Sequence, residues 1–135
     1  MTQSDLYKKG DAIRRSLRTP AEHAKAQSQY DGDPVMQKFI EAATESVFGA
    51  LWSRPGLDLK MRILVCVISD AATGREPELE LHLRMALGQG WTEEELTEVL
   101  LHLMGYVGAP LIREACLMAS RVFKEERAKK AKGKA

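Results

Sequence analysis

The sequence predicts an all-α domain of six or seven helices, and three observations carry that expectation. Helix-capping signals recur along the chain, each followed by apolar residues at helical spacing. Gly and Pro cluster between those segments, as at Gly32 to Pro34, Pro55-Gly56, Gly88 to Gly90 and Gly108 to Pro110. No segment alternates apolar with polar residues as a half-buried strand does.

Ser4 caps a first helix reaching about Arg18, with Leu6, Ile13 and Leu17 on one face. Thr19-Pro20-Ala21-Glu22 has capping-box spacing with proline in the first turn, and opens a short polar helix ending near Tyr30-Asp31-Gly32. Asp33-Pro34 opens a third helix running to about Trp52, with Val35, Phe39, Ala42, Ala43, Val47 and Leu51 at helical spacing. The turn Ser53-Arg54-Pro55-Gly56 breaks the pattern. Asp58 then precedes the most apolar run, Met61 and Ile63 to Ile68, whose length with Leu59 and Ala71-Ala72 reads as a buried helix. Periodicity alone does not separate that run from a strand. Gly74 ends it as a left-handed cap. Pro77 starts a helix through Leu87, stopped by Gly88-Gln89-Gly90. Thr92 to Glu95 is a second capping box, opening a helix to about Val107, and a last helix runs from Pro110 to about Glu126. Residues 127–135 are basic and low in complexity, and are expected to form a frayed, solvated tail.

At 135 residues, with 44% hydrophobic and 29% charged residues, the chain fits one soluble domain over residues 1–126. Twenty Lys plus Arg against 19 Asp plus Glu leave a net charge of +1. That balance supplies no general drive toward nucleic acid or an anionic membrane. No stretch approaches the roughly 20 apolar residues of a membrane span. The polar start MTQSDLYKKGD argues against a secretory signal. Cys66 and Cys116 are far apart and outside any CxxC, which argues against a disulfide scaffold, a zinc site and a dithiol centre. A cytoplasmic location is expected. The apolar run is long for so short a chain, which favours self-association.

Three histidines are candidates for chemistry. On a helix, Glu78 lies one turn before His82, where a carboxylate would orient the ring and suit it to proton transfer. Glu98 and Tyr106 flank His102 by one turn each. A packed structural histidine is the stronger reading of both from the residues alone. His23 lies in a polar segment and is expected to be exposed. Arg54 and Arg62 flank the Pro55-Gly56-Leu57 turn, and a guanidinium near a pocket suits an acidic substrate; a salt bridge explains Arg62 about as well. Trp52 could wall such a pocket or belong to the core. Gly88-Gln89-Gly90 follows a helix and lacks the glycine spacing of a phosphate cradle. No metal ligand set is expected.

Together, Phe48-Gly49, Trp52 to Leu57, Arg62, Gly74 to Leu79 with His82, Gly90 to Leu96, Glu98 to His102 and Tyr106 to Pro110 resemble the carboxymuconolactone decarboxylase family. The likeness reaches back to Tyr7 to Gly10 and Ile13 to Arg15, so it spans nearly all of the chain except the tail. It implies an alkyl hydroperoxidase-D-like helical fold and a homotrimer or homohexamer. Aligning on His82 and Gly90 places Arg75 and Glu78 where the peroxidase branch has its two cysteines, so thiol peroxidase chemistry is not expected. The resemblance implies the cofactor-free branch, in which 4-carboxymuconolactone is decarboxylated to an enol-lactone in the β-ketoadipate route of aromatic catabolism. Under it, His82 is the proton donor or an electrostatic stabiliser, and Glu78 its orienter. Arg54 and Arg62 bind carboxylate, with Trp52, His102 and Tyr106 near the substrate. The family pattern has an acidic residue in FGEVW where this chain has Ala50. That departure favours a second reading, a relative with a changed substrate performing another decarboxylation or an isomerisation. A third reading, a non-catalytic helical oligomer, requires a fully packed His82.

Overall fold

A computed structural model describes residues 3–133, and every regular element among them is helical. Seven α-helices occur: α1 (Asp5–Ser16), α2 (Pro20–Ser28), α3 (Pro34–Ala43), α4 (Leu59–Thr73), α5 (Glu76–Gly88), α6 (Glu93–Val107) and α7 (Ala109–Gly133). An eighth segment, Thr44–Leu51, continues α3 as a π-helix. They form two compact units, Met1–Asp58 and Leu59–Ala135.

The helix starts follow local chemistry. Ser4 accepts from the Tyr7 N–H, and Asp33 accepts from those of Val35 and Met36. Both Thr19/Glu22 and Thr92/Glu95 close reciprocal capping boxes. Gly74 adopts φ 71° at the end of α4, a conformation that costs a side-chain-bearing residue strain.

In the first unit α1 crosses the π segment at very close range. Gly10 and Gly49 are both buried at the crossing. A Cβ on Gly10 would lie 1.9 Å from the Thr44 carbonyl oxygen, and one on Gly49 would lie 2.2 Å from that of Leu6. The π geometry, visible in the Trp52 N–H donating to the Val47 carbonyl at 3.0 Å, is the feature that helical periodicity does not reveal. The buried face of α1 is accordingly Gly10, Arg14 and Leu17, whereas Leu6 is exposed. Arg14 is only 2% exposed, and its guanidinium donates to Thr44 Oγ1 and Gln27 Oε1, both at 3.4 Å. Along α3 and the π segment, Val35 (74% exposed), Phe39 (56%), Val47 and Leu51 leave an apolar stripe uncovered within the chain.

His23 corrects the expectation of an exposed residue: it is 4% exposed, with Nδ1 buried and unpartnered among the described residues. The short polar α2 turns this one side chain inward. Burial, followed by the charges of Arg15, Arg14 and Arg18, pushes the imidazole pKa below its ordinary value of 6.5. The folded chain therefore favours neutral His23. Stability from this site is present above pH 6.5 and is lost as pH falls below it. Thermal melts of the wild type and His23→Gln should diverge between pH 7.5 and 5, the wild type losing more. Parallel curves would remove His23 from the account. The carboxylates of Glu80, Glu125 and Glu126, which hold Arg84, are depressed from 4.5, so their loss falls in a separate, more acidic window.

In the second unit α4 contributes Ile63, Leu64, Val67 and Ala71 to a core completed by Leu79, Leu83, Leu96, Leu100, Ile112 and Val122. The apolar run is not covered all round, since Met61 and Val65 are exposed. Helix α7 passes the expected end near Glu126 and remains helical to Gly133; the last two residues of the basic tail lie outside the described residues. No described helix is long and apolar enough to cross a membrane.

Candidate active site

The second unit places a buried acid against the strongest histidine candidate. Asp70 lies on α4 in core register with Ile63 and Val67, so its carboxylate enters the interior and must find a donor. That donor is His82 on α5, whose Nδ1 stands 2.5 Å from Asp70 Oδ2. Asp70 thus replaces Glu78 as the group that orients the ring; Glu78 is exposed on α5. The contact engages Nδ1, so Nε2 is the ring nitrogen left for proton exchange. The His82 side chain is 18% exposed against 6% for Asp70. The imidazole is therefore held from within yet reachable from outside, and the fully packed histidine of the non-catalytic reading is not found. The sequence signal for Asp70 was present: an ionisable residue at a core position of an apolar helix needs a buried partner.

Cys66 lies one turn before Asp70 on α4. Burial, then the charges of Asp70 and Glu78, push its thiol up to about 11. It remains protonated at neutral pH, unlike an attacking thiolate. Arg62 occupies the same helix face two turns before Asp70, about 12 Å along the axis. His102 and Tyr106 are exposed on α6, with ring centroids 5.3 Å apart and planes at 43°, and Glu98 takes no part in that contact. In the first unit Trp52 packs against Phe48 at 5.4 Å, and Arg54 lies in the turn that follows. Among the described residues, no three His, Cys, Asp or Glu side chains converge as a metal site.

A model of the carboxymuconolactone decarboxylase family matches residues 30–121. A 4-carboxymuconolactone decarboxylase from Acinetobacter baylyi is 36% identical over 126 residues, covering 93% of this chain and 92% of that protein. The chain belongs to the carboxymuconolactone decarboxylase family. Two further relatives align over less of their length. A nitrosuccinic acid decarboxylase from Metarhizium robertsii is 36% identical over 85 residues, 63% of this chain and 59% of its own. An uncharacterized 15.0 kDa protein from Paracoccus denitrificans is 33% identical over 84 residues, 61% of this chain and 63% of its own. The family match spans α3 to about the first half of α7 and contains both Asp70 and His82.

Proposed function

We propose that this protein is a cofactor-independent decarboxylase of a small carboxylated lactone, with 4-carboxymuconolactone the substrate to try first. The observation that carries the reading is the Asp70–His82 pair, a buried carboxylate holding a solvent-reachable imidazole by Nδ1. Such a pair fits proton return to carbon. Cleavage of the carbon–carboxylate bond releases CO₂ and leaves its electron pair on the ring carbon, delocalised into the conjugated lactone as an enolate. His82, doubly protonated at the start of this step, donates its Nε2 proton to carbon, is left as the neutral ring and regains the proton from water. Loss of CO₂ needs no oxidant or reductant. It does need the developing oxyanion to be stabilised, and arginine suits both that task and substrate anchoring. Arg62, on the Asp70 face of α4, is the first choice for the anchor. Arg54, Trp52, His102 and Tyr106 are assigned to substrate binding by family resemblance, and Glu78 to a supporting charge near the site.

The acting form is a homo-oligomer, supported by the exposed stripe of Val35, Phe39, Val47 and Leu51. Its subunits work in the cytoplasm, within aromatic catabolism. Light scattering at micromolar concentration should give a multiple of 15.1 kDa, and a monomer would remove oligomerisation from the reading.

The test is CO₂ release and ultraviolet loss on adding 4-carboxymuconolactone. Turnover supports the reading; a folded protein without turnover refutes this substrate. The second reading, a changed substrate, draws on Ala50, an exposed residue of the π segment where the family pattern is acidic. Ala50→Glu is expected to raise kcat/KM for 4-carboxymuconolactone about tenfold or more if that carboxylate handles a proton. An unchanged value would discard Ala50 as the mark of divergence.

A further inference from the structure

Two arginines and a histidine crowd the junction of α1 and α2 in the first unit. Arg14 is 2% exposed, and its guanidinium meets neutral groups: Thr44 Oγ1 and Gln27 Oε1, each at 3.4 Å, and the ring of Tyr30 at 6.0 Å. The Nε of Arg18 and the Nδ1 of His23 are closed off from solvent, and neither has a hydrogen-bond partner among the described residues. His23 as a whole is 4% exposed. The charges of Arg14, Arg15 and Arg18 all act on the His23 ring, and that of Arg18 acts on Arg14, so these groups share one neighbourhood. The carboxylate whose charge acts on both Arg14 and His23 is Asp11, and Arg15 holds it at 2.9 Å. A guanidinium cannot shed its proton, so the burial of Arg14 stays costly until an anion offsets it.

We propose that this junction binds a small dianionic oxyanion of the phosphate type. One oxygen accepts from Arg18 Nε and a second from His23 Nδ1, while Arg14 supplies the compensating charge behind them. Two permanent guanidinium charges favour a dianion over chloride or a monocarboxylate, and tetrahedral oxygens can meet donors that converge from different side chains. Arg18 is the half-buried member, in the connection between the two helices, so its guanidinium turns aside to admit the ion and closes over it. An anion here favours a protonated His23, against the effect of the arginine neighbours. It also ties the short α2 to α1. The assignment rests on the first unit alone and is independent of the reaction at His82.

Sodium phosphate and sodium sulfate are the probes, titrated into the full-length protein at neutral pH with sodium chloride at matched ionic strength. Binding is read from the melting temperature and from the His23 ring-proton resonance. Both dianions should raise the melting temperature saturably and move the His23 resonance toward its protonated position, and chloride should do neither. General salting effects would climb without saturation and leave His23 in place. Arg18→Gln should weaken binding about tenfold or more, the loss of one charge-assisted hydrogen bond. Lys38→Gln removes the same charge from an exposed position on α3 and should leave the affinity unchanged. If Arg18→Gln fails to fold, His23→Gln decides, since it too should weaken binding. An equal response to chloride, unchanged affinity in the Arg18 and His23 variants, an equal loss in Lys38→Gln, or no saturable binding below about 10 mM overturns the proposal.

Discussion

His82→Asn is expected to lower kcat by about 10²- to 10⁴-fold, the usual contribution of a positioned proton-transfer group, while the melting temperature stays within a few degrees of wild type. Asn is preferred to Ala because its amide nitrogen can occupy the place of Nδ1 and keep a donor on Asp70 Oδ2. Ala would instead strand a buried carboxylate and mix a folding defect into the kinetics. Asp70 is a positioning residue, so its variants should divide differently. Asp70→Asn should cut kcat with little change in KM, and Asp70→Glu should restore part of the loss if the carboxylate can still reach Nδ1. A purely structural pair would lower the melting temperature in every variant without a selective loss of kcat. Full activity in His82→Asn would end the acid–base assignment.

Gly10→Ala is expected to be the most damaging conservative change for stability. The added Cβ would meet the Thr44 carbonyl oxygen at 1.9 Å and the Gly49 nitrogen at 2.8 Å. Both are backbone atoms, so no side chain can swing aside. Alanine gains roughly 1 kcal/mol over glycine in helix propensity. Separating the helices at this crossing costs more, and the loss should reach about 4 kcal/mol or beyond, the range reserved for broken packing. Gly105→Ala provides the control, since its Cβ meets nothing within 4 Å on α6. That variant should melt at or above wild type, whereas Gly10→Ala should melt far below it or fail to fold. Similar melting of the two would show that the crossing relaxes freely.

The capping residues Ser4, Thr19, Asp33 and Thr92 made the helix starts legible, because a cap is a short-range interaction within three residues. His82 was legible for a related reason: helical spacing gave it an ionisable neighbour on the same face. The choice of neighbour was not. Glu78 is close along the helix, but Asp70 is twelve residues away and meets the ring only through the packing of α4 on α5. His23 failed in the opposite sense. Its polar sequence context suggested solvent, and the packing of α2 with the arginine face of α1 removed it.

The sequence by itself determined the all-helical class, the helix boundaries to within a turn for most elements, and the family. Each of these rests on spacing along one chain segment or on a motif read in order. Tertiary structure decided which carboxylate holds His82, why α1 needs Gly10 and where the third helix becomes a π-helix. Those features depend on distances between segments far apart in sequence. Local propensity carries no record of such distances until the helices are packed.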